Sequence, residues 1–170
     1  MKVLFRRFVE DNIDFLARYL RRLGIPMSEI DDAIQEVLWV VHKKRAEVDS
    51  NKERAFLVAV ATRVASHEYR ARRRRSRTQG EFVEHASFET DLTPERLAQV
   101  AEARERLQQI LNQLPMDLRT VFVLFELEEL TAPEVSELLQ IPVGTAASRI
   151  RRARELFAEH VRDLSMRKVS

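Results

Sequence analysis

The chain has 170 residues, in which 29 Lys and Arg face 27 Asp and Glu for a net charge of +2. The absence of cysteine excludes disulfides, thiolate metal sites and cysteine catalysis, and three glycines and five prolines argue against a turn-dense β fold. No apolar run approaches the roughly 20 residues of a membrane span, and charges arrive too early at the N-terminus for a signal peptide. We expect a soluble, cytoplasmic, all-α protein without membrane insertion.

The first half contains three stretches in which apolar residues recur at helical spacing. The first stretch predicts a helix over 3–23 that Gly24 ends as a C-cap. The second predicts a helix over 28–44 with Ser28 as its candidate cap. The third predicts a helix over 53–75.

The second predicted helix has an apolar face and an opposite polar face. The polar face carries a tryptophan among charged and amide side chains; its members are Asp32, Gln35, Glu36, Trp39 and Lys43.

Charge divides the chain near its middle. Residues 63–77 hold seven Arg and one Glu, whereas residues 81–105 hold seven acids and two Arg. The absence of a clear helical period predicts a linker at 78–93. We therefore predict two domains, 1–77 and 94–170.

The second half opens with a predicted helix over 94–114, for which Thr93 is the candidate cap. Pro115 suits the first position of the next helix. Thr131, with Glu134 three residues later, forms a capping box that opens a short helix.

A short helix, a tight turn and a long basic helix running to about Leu164 indicate a helix-turn-helix. The residues predicted to pack inward are Val143, Ala146, Ile150, Ala153 and Phe157. Those predicted to face outward are Thr145, Ser148, Arg151 and Arg152, with Arg149 and Arg154 on the flanks. Guanidinium and hydroxyl groups on one helix face suit the major groove of DNA. The alternative is a solvated basic helix that binds nothing.

Several motifs resemble the extracytoplasmic-function sigma factors of RNA polymerase. The run from Leu114-Pro115 through Ile141-Pro142-Val143-Gly144-Thr145 to Arg152-Ala153-Arg154 is similar to their region 4. Asp31-Asp32-Ala33-Ile34-Gln35-Glu36-Val37 is similar to region 2.2, and Phe56-Leu57 through Tyr69-Arg70 is similar to regions 2.3 and 2.4. The resemblance spans nearly the whole chain in the family's order.

The resemblance implies an initiation factor with two helical domains, sigma region 2 and sigma region 4. Its implied partners are core RNA polymerase, promoter DNA and an anti-sigma factor. Region 2 would bind polymerase and read and melt the minus-10 element, and region 4 would read the minus-35 element. No cofactor, metal or catalytic residue is implied.

The polymerase-binding residues implied are Asp32, Gln35, Glu36 and Trp39. An exposed tryptophan ringed by acids suits a basic partner helix. The alternative is that Trp39 packs against the first helix.

The implied minus-10 residues are Ser50, Asn51, Arg63, Tyr69, Arg70, Arg73 and Arg74. Loop 47–52 matches the family's position for capturing a flipped base. The arginines, with those at 72–75, can bind phosphates, and Tyr69 can stack on an unpaired base. The alternatives are a plain connector, a solvated helix end and, for Tyr69, ordinary packing.

The sequence departs from the family at three places. Ala147 stands where a DNA-contacting lysine is common, and Phe56 replaces a common tryptophan. Gln140 stands where glycine usually ends the first helix of the motif. If the turn is unchanged, Gln140 has a positive φ, which costs about 1 kcal/mol of conformational free energy.

Two other classes of protein compete with this interpretation. An enzyme is disfavoured because the four histidines are scattered and no nucleophile or phosphate-loop motif occurs. A helix-turn-helix regulator that acts without polymerase is compatible with 94–170. The tryptophan-centred acidic face and the melting-type loop argue against it.

Overall fold

The computed structural model describes residues 2–44, 48–49, 52–76 and 94–167. Every regular element in these ranges is helical, which confirms the all-α prediction. The helices are α1 Lys2–Arg22, α2 Met27–Lys44, α3 Glu53–Ser76, α4 Pro94–Gln113, α5 Met116–Phe122, α6 Ala132–Leu139 and α7 Val143–Arg167. None of the helices in the described part is long and apolar enough to cross a membrane. The predicted linker 78–93 and the candidate cap Thr93 lie outside the described residues.

Helices α1, α2 and α3 pack against one another and are called lobe 1. Their apolar stripes meet in a core that includes the fully buried Leu16, Leu20, Val37 and Leu57. The buried Tyr19 hydroxyl lies 2.8 Å from the Thr62 hydroxyl. Because the Thr62 hydroxyl donates to the Val58 carbonyl, Tyr19 is the donor to Thr62. Burial raises the pKa of Tyr19 and keeps the phenol neutral.

A glycine turn joins α1 to α2. Gly24 has φ +103°, which other residues rarely adopt. Arg72, from the end of α3, donates to the Gly24 carbonyl at 2.7 Å and pairs with Glu29 at 2.9 Å. Helix α2 begins at Met27, so Ser28 lies inside its first turn and the prediction that it caps the helix is wrong.

Helices α4 to α7 form lobe 2. Its core includes Leu111, Leu114 and Ala153, all fully buried, and the rings of Phe122 and Phe157 stack with centroids 4.6 Å apart. Pro115 has extended ψ (144°) and precedes the first helical residue. The prediction that Pro115 is the first residue of this helix is therefore wrong by one position.

Helix α5 continues into a π-helical turn, Val123–Leu127, which the sequence did not reveal. Within it the Glu128 amide donates to the Val123 carbonyl at 3.0 Å. The chain then leaves the helix through Glu129, whose φ is 57°. This wide turn places Glu126 against Arg154 and Glu128 against lobe 1.

The capping box predicted before α6 is confirmed. The Thr131 amide donates to the Glu134 carboxylate at 2.7 Å, and the Glu134 amide donates back to the Thr131 hydroxyl at 3.4 Å. Gln140 ends α6 with φ 53°, which confirms the positive φ expected at this turn. The Ser136 hydroxyl closes the turn by donating to the Ile141 carbonyl at 2.6 Å. These contacts fix how α7 leaves the motif.

The two lobes lie against each other. Helix α3 of lobe 1 packs on α6 of lobe 2, and the buried apolar side chains of both lobes form one continuous cluster. The faces of α3 and α6 that meet here are therefore removed from solvent.

Candidate nucleic-acid and polymerase interfaces

The outer face of α7 presents its polar side chains to solvent. Ser148, Arg151 and Arg152 are exposed, and Arg149 is half-buried at the flank. Arg152 pairs with Glu155 at 3.1 Å, and Arg151 lies 4.0 Å from the same carboxylate. Such exposed pairs contribute little, so a phosphate or a base can compete for both guanidinium groups.

Thr145 and the flanking Arg149 are more constrained. Arg149 lies 3.8 Å from Asp117, which places its guanidinium beside α5. Thr145 is half-buried, and its carbonyl accepts a 3.0 Å hydrogen bond from the Ser148 hydroxyl. The motif thus brings Ser148, Arg149, Arg151 and Arg152 to one accessible edge and holds Thr145 closer to the body of lobe 2. The flanking Arg154 pairs with Glu126 and lies over the Phe125 ring at 4.9 Å.

The inward face of α7 is confirmed except at its first residue. Ala146, Ile150 and Ala153 are buried. Val143 is 50% exposed, so the prediction that it packs inward is wrong. As the first residue of α7 it precedes the part of the helix that packs on the core. Beside it, a Cβ added to Gly144 would meet no protein atom within 4 Å.

The basic end of α3 divides between solvent and structure. Arg63, Arg70 and Arg74 are exposed. Arg72 instead points back to Gly24 and Glu29, so it does not join the phosphate-binding set that the sequence predicted. The side chain of Arg73, together with Ser50 and Asn51, lies outside the described residues.

Tyr69 does not present its ring to solvent as a bare stacking surface. It is half-buried, and the guanidinium carbon of Arg119 lies 4.9 Å from its ring centroid, a cation–π distance. Because Arg119 belongs to α5, the predicted base-stacking residue of lobe 1 is covered by lobe 2.

Arg119 is a functional candidate that sequence reasoning missed. It is completely buried, and burial lowers the pKa of its guanidinium. Its Nη1 donates to the Leu23 carbonyl of lobe 1 at 2.7 Å, and its Nη2 donates to the Asn112 and Leu114 carbonyls of lobe 2 at 2.8 and 3.1 Å. The sequence offered one weak signal, a cation beside the apolar stripe of a short helix.

Glu128 is a second residue that the sequence did not single out. Its side chain is 10% exposed, and its carboxylate pairs with Arg22 and lies 3.5 Å from Arg18. Arg22 also donates to the Leu127 carbonyl at 3.0 Å. These contacts cross from the π-helical turn of lobe 2 to α1 of lobe 1.

The polar face of α2 borders an open groove, called the α2 groove, of about 630 Å³. Its lining residues are Asp32, Gln35, Glu36, Leu38, Trp39 and His42. Trp39 is 67% exposed, so the alternative in which it packs against α1 is wrong. An exposed indole beside two carboxylates and an amide suits a partner with both apolar and basic groups.

Within the ranges that the structure describes, no group of three or more His, Asp or Glu side chains is placed to hold a metal ion. The α2 groove and the outer face of α7 are both accessible and suited to macromolecular contacts.

Family models match both halves of the chain. The model for Sigma-70 region 2 matches residues 8–75, and the model for Sigma-70 region 4 matches residues 104–157. The first spans the α2 groove and the basic end of α3, and the second spans α5, α6 and most of α7.

Full-length relatives extend this match. The chain is 30% identical to the ECF RNA polymerase sigma-E factor of Haemophilus influenzae, over 95% of this chain and 87% of that protein. The chain belongs to the extracytoplasmic-function sigma factors. It is also 33% identical to the RNA polymerase sigma-H factor of Pseudomonas aeruginosa, over 81% of this chain and 75% of that protein.

The solved structure of CnrH in complex with the cytosolic domain of CnrY has a similar fold. The TM-score is 0.71 at 22% identity, covering 96% of this chain and 90% of CnrH. As a sigma factor, this protein binds core RNA polymerase and directs transcription initiation at specific promoters. Its helix-turn-helix lies in the DNA-binding region 4.

Proposed function

We propose that this sigma factor holds polymerase through the α2 groove. The observation that carries the proposal is Trp39, which stands 67% exposed on a helix whose other face is buried. Asp32, Gln35 and Glu36 surround it with acceptors for a basic helix. Aromatic anchors of this kind dominate binding energy when a partner covers them.

The minus-35 element is assigned to the outer face of α7. Arg149, Arg151 and Arg152 supply guanidinium forks for guanine edges or phosphates, and Ser148 supplies a hydroxyl. Thr145 lies at the edge of this face, and we assign it a contact with DNA through its main chain. The first residue of the helix, Val143, adds an apolar contact suited to a thymine methyl group.

The minus-10 element is assigned to the basic end of α3. The exposed Arg63, Arg70 and Arg74 bind the phosphate backbone, and the Tyr69 ring stacks on an unpaired base. The proposal extends to Arg73 and to Ser50 and Asn51 in the preceding loop on sequence grounds alone. In this proposal region 2 comprises residues 1–77, the linker residues 78–93 and region 4 residues 94–170.

Regulation by an anti-sigma factor belongs to the same proposal. CnrH is a structural neighbour that was solved with the cytosolic domain of CnrY, and an inhibitor that covers the α2 groove would block polymerase. We further propose that the protein acts in the cytoplasm and that it works by binding, without a catalytic residue or cofactor of its own.

The experiment combines run-off transcription of a genomic library with a measurement of core binding. The chain with core RNA polymerase is expected to start transcripts at a shared promoter motif. Trp39→Ala is expected to weaken core binding about tenfold or more. Met27→Ala, an exposed apolar change on the same helix, is the matched control.

Two outcomes would contradict the proposal. Equal core affinity for Trp39→Ala and Met27→Ala would remove the α2 groove from the polymerase contact. Tight binding of promoter duplex by the chain alone, without co-elution with core polymerase, would favour the free-standing helix-turn-helix regulator.

A further inference from the structure

The outer face of α7 begins with a residue that has no side chain. Gly144 is the second residue of the helix and is exposed. Helical spacing places it one turn before Ser148 and two turns before Arg151, on the same line along the helix. The face assigned to the minus-35 element therefore starts on bare backbone, with longer side chains following it.

Nothing in the described part of the chain requires a glycine at this position. A Cβ on Gly144 would meet nothing within 4 Å, and its backbone does not have the positive φ that favours glycine at Gly24. Glycine inside a helix is less favourable than alanine. The open space above Gly144 is therefore not needed for packing and is available to a partner.

The surroundings of this space are apolar. Val143 precedes Gly144 and is 50% exposed. The Ser148 hydroxyl is turned back on its own helix, where it donates to the Thr145 carbonyl at 3.0 Å. We call the space bordered by Val143, Gly144 and Ser148 the Gly144 notch. Its size and chemistry suit a methyl group.

The major-groove edge of DNA carries one apolar substituent, the C5 methyl group of thymine. In a helix-turn-helix the N-terminal residues of the second helix contact base edges. We propose that the Gly144 notch receives a thymine methyl group and makes α7 selective for thymine at one position, a step that rests on the assignment of this face to the minus-35 element. Arg151 and Arg152 suit guanine edges and phosphates, so the notch adds a contact of a different kind.

The test uses the holoenzyme and duplexes that carry the selected minus-35 sequence. Each thymine is replaced in turn by deoxyuridine, which removes only the methyl group and keeps the base pair. Competition in an electrophoretic mobility shift measures the affinity of each duplex. The parent chain is expected to lose about fourfold in affinity at one position, the factor that burial of one methyl-sized group supplies.

Gly144→Ala places a methyl group in the notch from the protein side. It is expected to weaken binding to the thymine duplex about tenfold, because added atoms in a close contact are destabilising. Replacing that thymine by deoxyuridine should restore most of the lost affinity, so the preference at this position reverses. Val143→Ala is expected to reduce the preference for thymine without reversing it.

Ala158→Ser is the matched control, because it adds one atom at an exposed position of the same helix. It is expected to leave the affinity for both kinds of duplex unchanged. Thermal melts are expected to show that Gly144→Ala is at least as stable as the parent chain, since alanine suits a helix and the added Cβ meets no neighbour. A loss of binding then reflects DNA contact and not loss of fold.

Three results would overturn the notch. The parent chain could bind every deoxyuridine duplex as tightly as the thymine duplex, or the selected minus-35 sequence could contain no A·T pair. An equal loss for Gly144→Ala on all duplexes would assign the open space to the sugar-phosphate backbone. Failure of the minus-35 assignment itself has a different signature, unchanged duplex binding by Arg149→Ala with Arg152→Ala.

Discussion

The two surfaces assigned to promoter DNA differ in how much of each the isolated protein exposes. On α7, Arg151 and Arg152 share one exposed carboxylate, Glu155. On α3, Tyr69 is covered by a buried arginine that is bonded to both lobes. DNA that binds α7 has to displace only weak local ion pairs. A base that stacks on Tyr69 has to compete with a side chain that is packed between both lobes. Readiness for duplex DNA and readiness for unpaired bases are therefore separate properties of this chain.

The largest expected effect is on the exposed surface. Arg149→Ala with Arg152→Ala is expected to weaken holoenzyme binding to the minus-35 duplex roughly 100-fold, since each base-reading guanidinium contributes about 1–3 kcal/mol. Electrophoretic mobility shift against competitor duplexes with single base changes measures the loss and its sequence dependence. Arg6→Ala with Arg7→Ala, both exposed on α1, controls for net charge.

A uniform loss across all duplexes, with a smaller salt dependence, would assign both arginines to phosphates instead of bases. No loss relative to the control pair would remove them from the DNA surface and weaken the contrast with α3.

The next effect concerns the covered surface. Tyr69→Leu is expected to reduce open-complex formation by the holoenzyme about tenfold, because stacking contributes about 1–3 kcal/mol per base. Tyr69→Phe keeps the ring and is the control. Permanganate footprinting of unpaired thymines measures melting, and equal footprints for the leucine and phenylalanine variants would contradict the stacking role.

A smaller effect comes from the carboxylate that α7 itself supplies. Glu155→Gln is expected to tighten binding to the minus-35 duplex about threefold at low salt, because exposed ion pairs contribute about 0–1 kcal/mol. The gain should shrink as salt rises. Glu159→Gln, one turn further along, is the control, and an equal gain there would indicate a general charge effect.

The smallest effect concerns the stability of lobe 2. Thr131→Ala is expected to destabilise lobe 2 by about 0.5 kcal/mol through loss of the exposed α6 cap. Bonds from the Thr131 hydroxyl and amide hold the pKa of Glu134 below its usual 4.5. A lowered folded-state pKa adds stability above pH 4.5 that is lost as the pH falls.

Thermal melts at pH 7 and pH 4 should therefore differ less for Thr131→Ala than for the parent chain. Ser28→Ala, which removes a hydroxyl from the first turn of α2, is the control. An unchanged pH dependence in Thr131→Ala would show that the capping carboxylate does not control the acid response.

Local features were predictable from the sequence because neighbouring residues determine them. The spacing of Thr131 and Glu134 specified a capping box, and the position of Gln140 specified a left-handed turn. The exposure of Trp39 followed from its place opposite an apolar face. Helical periodicity was sufficient to place each helix in the described part of the chain.

The rest depended on contacts between distant elements. Periodicity placed Val143 on the inward face, but the core ends before the first residue of α7. No residue pattern in the sequence indicates the π-helical turn. The contact of Glu128 with lobe 1 could therefore not be predicted. Arg119 resembles a solvated cation in sequence, and its burial is explained only by carbonyls that belong to both lobes.

The glycine between α1 and α2 restricts which sequences can occupy this fold. Any β-carbon at position 24 would press on the guanidinium opposite it, in addition to straining the backbone at φ +103°. An alanine arising there by mutation would act twice, since it would strain the turn between α1 and α2 and would push Arg119 of α5 and Asn112 of α4 away from that turn. The expected result is a less stable chain in which Arg119 no longer reaches the Leu23 carbonyl.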